Sequence, residues 1–177
     1  MSSLPARLPG RPLGAGEKPL TQQFLTLTLG NELFALPIEH IREIIEFGGL
    51  TEIPLMPAFL RGVINLRGAV VPVIDLAVRF GRQRTQIARR TCIVILEVAQ
   101  GDGVQLLGVI VDAVNAVLAV EAQQVEPRPA FGTHIRADFI GGILKQNEKF
   151  VIVLDIPRVL SIEELAELVG NLDQAQG

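Results

Sequence analysis

The chain has 177 residues, 49% of them apolar, so it can bury the core of one compact domain or of two small units that share a core. Its net charge of −3 and isoelectric point near 5.4 do not favour the basic surface that nucleic acids or anionic lipids require. Its longest uncharged apolar run is shorter than the roughly 18 residues of a membrane-spanning helix, and no apolar signal core follows Met1, so we expect a cytoplasmic protein.

The first residues differ in composition from the rest of the chain. Residues 1–21 contain four prolines and few large apolar side chains, so they do not bury enough surface to offset the entropy lost on ordering. We expect a disordered N-terminal arm at 1–21, one domain at 22–170 and a short tail at 171–177.

From Gln22 onward, short alternating apolar runs are separated by turn residues, which is typical of β-strands. Residues 24–29 alternate, and Gly30-Asn31 predicts a two-residue hairpin turn into residues 32–36. Residues 92–98 and 104–111 predict a second hairpin of the same kind. The sequence therefore predicts an all-β fold.

The second hairpin begins a copy of the first β unit. Residues 33–45 align without gaps on residues 106–118, and residues 59–75 align on residues 139–155, with the apolar and acidic positions largely coincident. Two copies, each about 60 to 70 residues long, are expected to share a core because small units become stable together.

A helix is predicted near the end of the chain, at about 161–169. Ser161 and Glu164 have the spacing of a capping box and precede the apolar Leu165. This is the α-helix that we expect beside the β-rich domain.

The sequence offers few groups for catalysis or metal binding. It contains one Cys, two His, no Tyr and no Trp, and His40 and His134 lack partners at ligand spacing. No phosphate-binding glycine motif is present. We expect no enzymatic activity, no metal and no cofactor.

Five arginines lie in the segment that joins the two repeats. They could contact RNA or an acidic partner, but a solvated connecting loop is favoured because Phe80 alone is available there for base stacking. A small RNA-binding β-barrel is kept as a distant alternative. The five are Arg79, Arg82, Arg84, Arg89 and Arg90.

The two repeats differ at two charged positions. Glu43 stands opposite Ala116, and Arg67 stands opposite Asn147, so the acid and the base are absent together from the second repeat. This joint absence predicts a partly buried Glu43–Arg67 pair, because losing one partner alone would leave a charge uncompensated. The pair could stabilise the fold, contact a partner, or do both.

Three segments, residues 32–45, 57–76 and 108–114, resemble CheW-type chemotaxis coupling proteins, above all in the N-L-R-G turn followed by V-V-P-V-I-D-L. The resemblance extends from about Gln22 to Leu168. It implies two pseudo-repeated five-stranded SH3-like barrels that share a core, the first at about 22–80 with elements exchanged with the second at about 90–156.

The resemblance also implies a function and partners. A protein of this family is a non-enzymatic adaptor that couples chemoreceptor cytoplasmic tips to the regulatory domain of the histidine kinase CheA, in signalling arrays at the inner membrane. A CheW-like scaffold of a non-flagellar pathway, controlling surface motility or second-messenger synthesis, is the alternative.

Carried onto this sequence, the family's receptor-facing positions fall beside a groove between the barrels. They are Ile41, Glu43, Gly62, Arg67 and Gly68.

The family's second kinase contact falls on Phe131, with Glu126 and Ala130 nearby. Glu126 and Ala130 depart from the family's best-known members, which carry the opposite sign at the first position and an acid at the second.

Overall fold

The computed structural model describes residues 21–128 and 135–168. Two of the predicted kinase-contact residues, Ala130 and Phe131, lie outside these ranges, as do the predicted tail and residues 1–20 of the predicted arm at 1–21; Thr21 is described and begins the first strand. The described residues are mostly β-strands, and the predicted all-β fold with one C-terminal helix is confirmed.

Each repeat contributes five strands and a short helix. The first repeat contains β1 (Thr21–Leu29), β2 (Glu32–Pro37), β3 (Ile41–Glu46), β4 (Leu60–Leu66), β5 (Ala69–Asp75) and α1 (Leu76–Arg79). The second contains β6 (Cys92–Gln100), β7 (Gly103–Val111), β8 (Ala113–Glu121), β9 (Ile140–Gln146), β10 (Lys149–Leu154) and α2 (Ile156–Val159). A further helix, α3, covers 162–168 within the described residues.

The strands form two five-stranded sheets, and each sheet draws on both repeats. Sheet I has the order β9-β10-β2-β1-β8, and sheet II has the order β3-β6-β7-β5-β4. Each sheet thus combines the first hairpin of one repeat with the last three strands of the other. A parallel pair joins the two contributions, β10 with β2 in sheet I and β5 with β7 in sheet II.

Equivalent local structures recur in the two repeats. Register shifts in β4 and β9 occur next to Gly62 and Gly142. Asp75 caps the N-terminus of α1, and Asp155 caps α2, by accepting backbone N–H groups. The predicted turn at Gly30 is also formed, with a positive φ of 59°.

A central apolar cluster lies between the sheets, and each sheet has a smaller cluster of its own. In the centre, the Phe80 ring stands 5.4 Å from Phe34 and 5.9 Å from Phe139, centroid to centroid. The sheet clusters are built around Phe24 and Val151 in sheet I and around Ile93 and Ile95 in sheet II. Burial of this apolar surface supplies the main stabilisation.

One bridge connects the outer strands of each sheet. After β3, the chain crosses to β4 and pairs Thr51 with Val63, and after β8 it crosses to β9 and pairs Glu126 with Ile143. These crossings turn each open sheet into a small barrel.

The start of α3 corrects one sequence expectation. The Ser161 hydroxyl accepts the Glu164 N–H at 3.3 Å, which is half of the predicted capping box. The Glu164 carboxylate does not return to the backbone: it accepts hydrogen bonds from Arg136 at 2.7 and 3.0 Å and lies 2.7 Å from the Arg79 guanidinium. Two guanidinium groups attract a carboxylate more strongly than one backbone N–H does. The helix is thereby held against the central cluster.

Candidate functional site: the ion pair at the edges of sheet II

Glu43 on β3 and Arg67 in the turn after β4 form a two-pronged ion pair. The guanidinium donates to the two carboxylate oxygens at 2.8 and 3.0 Å. Because β3 and β4 are the two outer strands of sheet II, the pair connects opposite edges of one barrel. A bidentate contact of this kind fixes the orientation of both groups.

The pair is more exposed than the sequence predicts. The Arg67 side chain is 70% exposed and the Glu43 side chain 28%. The hydrogen bond from Arg67 lowers the pKa of Glu43, and the same bond raises the pKa of Arg67, so both stay charged at neutral pH. Water screens such a pair, and its contribution to stability is therefore small. The exposed guanidinium retains N–H groups for a partner.

The turn that carries Arg67 is closed by a side-chain hydrogen bond. Arg67 and Gly68 have φ values of 52° and 90°, and the Gly68 N–H donates to the Asn65 side-chain oxygen at 2.8 Å. Asn147 and Glu148 have the same conformation in the second repeat, with φ values of 50° and 70°. The turn shape therefore belongs to the fold, and the charge is specific to the first repeat.

Gly62 has a structural role in the bulge of β4. A Cβ at this position would lie 2.3 Å from the Thr51 carbonyl oxygen, and φ is 154°. Only glycine lets the crossing segment approach this closely. Gly62 is buried, so its role is to allow the barrel to close, and it is not available for direct contact with a partner.

Ile41, at the start of β3, packs against the central apolar cluster. The structure therefore brings Glu43, Arg67 and Gly68 together where the two outer strands of sheet II approach each other, and it places Ile41 and Gly62 inward.

Of the predicted kinase-contact residues, Glu126 is described and exposed, and it pairs with Ile143 through its backbone. Its carboxylate is thus presented at the surface beside the bridge that closes the second barrel.

Sequence reasoning missed a second charged cluster, around Asp75. This carboxylate is fully buried and accepts hydrogen bonds from the Arg61 guanidinium at 2.7 Å and from the Thr85 N–H and hydroxyl at 2.9 and 2.8 Å. Arg61 stands opposite Gly141 in the second repeat, so the comparison that identified Glu43 and Arg67 could have found it too. The cluster fixes the segment between the repeats against sheet II.

Three of the five arginines of the connecting segment lie beside carboxylates. Arg79 pairs with Glu164 and is 5% exposed, Arg82 pairs with Glu32, and Arg84 lies 3.9 Å from Glu52. Three of the five are thus partly neutralised, which disfavours the RNA-binding alternative.

In the described parts of the chain, no cluster of three or more His, Cys, Asp or Glu side chains has the geometry of a metal site. No helix within residues 21–128 and 135–168 is long and apolar enough to cross a membrane.

Comparison with known proteins agrees with the geometry. A family model described as the CheW-like domain matches residues 23–164. The chain is 37% identical to Chemotaxis protein CheW of Klebsiella aerogenes, covering 89% of this chain and 92% of that one. It is 33% identical to Chemotaxis protein CheW of Treponema pallidum, covering 84% and 87%. A crystal structure of the scaffolding protein TtCheW from Thermoanaerobacter tengcongensis superposes with a TM-score of 0.71 at 33% identity, covering 82% and 91%.

Proposed function

The chain belongs to the family of CheW-like domain proteins, and from that premise we propose that it couples chemoreceptor tips to a CheA-type histidine kinase through two separate surfaces. Its general function is that of a chemotaxis coupling scaffold. The non-flagellar alternative is not favoured, since the two relatives above are named as chemotaxis proteins.

The receptor surface that we propose is the exposed edge of sheet II around Glu43 and Arg67. The bidentate pair holds the Arg67 guanidinium in one orientation before any partner arrives, which lowers the entropic cost of binding. Val70, at the start of β5 just after the turn that carries Arg67, is 66% exposed, so an apolar side chain is available close to the turn in sequence. A receptor helix with an apolar stripe and a carboxylate would match this surface.

The kinase surface that we propose lies beside the second barrel. It consists of Phe131 as an apolar anchor, with Glu126 and Ala130 near it in the chain. An aromatic anchor in an apolar pocket is a common source of binding energy in protein interfaces. Exposed Glu126 would then select a kinase domain with a complementary cation.

The proposal includes no catalytic step. The protein would act by holding receptor and kinase in fixed relative positions, in receptor arrays at the inner membrane. The single observation that carries the proposal is the exposed Glu43–Arg67 pair at the signature turn of a CheW-like fold.

Isothermal titration calorimetry with a receptor tip fragment tests the receptor surface. Arg67→Ala should weaken binding by about tenfold, because one charge-assisted contact to the partner is lost. Lys149→Ala, which removes an exposed cation next to the equivalent turn of the second repeat, is the matched control and should leave binding unchanged. Equal losses in both variants would contradict the assignment.

Calorimetry with the kinase regulatory domain tests the other surface. Phe131→Ser should weaken kinase binding and leave receptor binding intact. If the unaltered protein bound neither partner, the adaptor function would be wrong.

A further inference from the structure

A groove of about 550 Å³ lies at one end of sheet I, and none of its described lining residues belongs to the turn that carries Arg67. Its walls come from the start of β1, the 3-10 turn at residues 38–40, and the junction of β10 and α2. Its apolar lining includes Ile38, which is 37% exposed, together with Val125 and Pro157. The groove therefore offers apolar surface that no described residue covers completely.

The charged residues that line the groove are acidic. Glu39 and Asp155 both line it, and among its described lining residues there is no Lys or Arg. An occupant that combines apolar side chains with positive charge would suit this groove.

The chain has such a segment directly attached to the groove. Residues 1–20 end immediately before Thr21, and Gln22 is itself part of the groove wall. The segment contains two successive Leu-Pro-x-Arg units, at 4–7 and 8–11. Its side-chain charges are three basic, at Arg7, Arg11 and Lys18, against one acidic, at Glu17, which gives a net charge of +2.

We propose that the N-terminal segment of this chain docks into its own groove at the end of sheet I, with the leucines and prolines on the apolar wall and the arginines facing Glu39 and Asp155. This docking gives the groove an occupant from the same chain.

Docking of this kind does not require the segment to fold alone. Proline fixes φ, and a residue before proline favours extended conformations, so Leu-Pro units are already near a polyproline II helix. Such helices bind apolar grooves at a low entropic cost. Covalent attachment supplies an effective concentration on the order of 1 mM, so even weak intrinsic binding keeps the groove occupied.

NMR spectroscopy tests the proposal on the full chain and on a variant that lacks residues 1–20. The amide shifts of His40 and Gly141, which line the groove, should differ between the two proteins. A peptide of residues 1–14 added to the shortened protein should move these shifts back toward the full-chain positions. A control peptide with Arg7→Glu and Arg11→Glu should not.

A groove variant separates specific docking from a general charge effect. Glu39→Lys should weaken peptide binding by about fivefold, because one of the two carboxylates is lost and a cation is gained. Glu46→Lys, an equal charge change on exposed β3, is the control and should leave affinity unchanged. Both side chains are exposed, so neither change threatens the fold.

Three results would overturn the proposal. The first is identical shifts at His40 and Gly141 with and without residues 1–20. The second is equal binding of the Arg→Glu control peptide. The third is a shift difference that disappears on dilution together with a dimer in sedimentation, since the segment would then occupy the groove of a second copy.

Discussion

Sheet I and sheet II are built to one plan, and they differ in how charge reinforces that plan. In sheet II, Glu43 and Arg67 connect the outer strands across the surface, and Arg61 meets Asp75 in the interior. At the positions equivalent to Glu43, Arg67 and Arg61, the second repeat has Ala116, Asn147 and Gly141. Both sheets nevertheless have the same strand order, the same bulge and the same closing bridge.

This difference separates the features that the barrel fold requires from the charged pairs that only the first repeat contains. The bulge glycine, the positive-φ turn and the capping aspartate occur in both repeats, so they belong to the architecture. The Glu43–Arg67 and Arg61–Asp75 pairs, in contrast, have no equivalent in the second repeat. Substitutions at equivalent positions of the two repeats therefore compare the contribution of the charged pairs to stability with that of the shared backbone features.

The largest effect is expected at the buried carboxylate. Asp75→Ala should lower the free energy of unfolding by about 3–5 kcal/mol, because it leaves the buried Arg61 guanidinium and the Thr85 groups without their acceptor. Asp155→Ala removes only the helix cap and should cost about 1 kcal/mol. Urea unfolding of both variants checks this. Equal losses of unfolding free energy would show that the Arg61–Asp75 pair contributes no stability beyond the helix cap.

The bulge glycines should differ by a smaller amount. Gly62→Ala forces a Cβ against the rigid Thr51 carbonyl at 2.3 Å and should cost about 2–3 kcal/mol. Gly142→Ala meets the Val125 methyl group at 2.5 Å and the Glu126 carbonyl oxygen only at 3.0 Å, and Gly142 lacks the positive φ of Gly62, so it should cost less. Thermal unfolding followed by circular dichroism compares them. A larger loss at Gly142 would contradict the difference in packing.

Acid should weaken the helix contact of the second repeat. The hydrogen bonds from Arg136 hold the pKa of the Glu164 carboxyl and the pKa of the Asp138 carboxyl below their usual range. Groups with depressed folded pKa values stabilise the protein above their unfolded pKa and lose that contribution as pH falls through the folded value. The melting temperature should therefore fall as the pH is lowered from about 5 through the range in which these carboxylates take up protons.

Arg136→Met should flatten this acid dependence more than Arg67→Met does. Arg136 binds two carboxylates, whereas Arg67 binds one. Calorimetric melting over the same pH range distinguishes them, and parallel curves for the unaltered protein and Arg136→Met would refute the assignment.

The smallest effect on stability is expected for the exposed pair. A double-mutant cycle of Glu43→Ala and Arg67→Ala should show weak coupling in stability, and added salt should reduce it further, because Arg67 is 70% exposed. The same cycle in receptor affinity should show stronger coupling. Strong coupling in stability and none in affinity would make the pair purely structural.

The sequence predicted much of this architecture for physical reasons. Alternation of apolar residues indicates which side of a strand is buried, and turn residues indicate where strands end. The hairpins and the duplication could therefore be predicted from the sequence. Alternation does not report which strands are neighbours. The combination of β1 and β2 with β8, β9 and β10 therefore does not follow from periodicity.

The candidate site could be predicted from the sequence only in part. Glu43 and Arg67 could be paired because their absence from the second repeat is joint. Their exposure could not be read from this pattern, since it depends on how the β3 and β4 edges face solvent. Arg61 was missed because its partner Asp75 has a counterpart, Asp155, so only one side of the pair differs. Glu164 was assigned to a local cap because Arg79 and Arg136 are distant in sequence.

The exchange of strands between the repeats also sets an order on biosynthesis. Sheet II contains only residues up to Val111, so it can form while the rest of the chain is still in the ribosome. The β1–β2 hairpin is made first, yet its neighbours β8 and β10 arrive last, the final one ending at Leu154. The β1–β2 hairpin therefore remains longest with unpaired strand edges during synthesis. A ribosome-associated chaperone would prevent most aggregation by covering this hairpin.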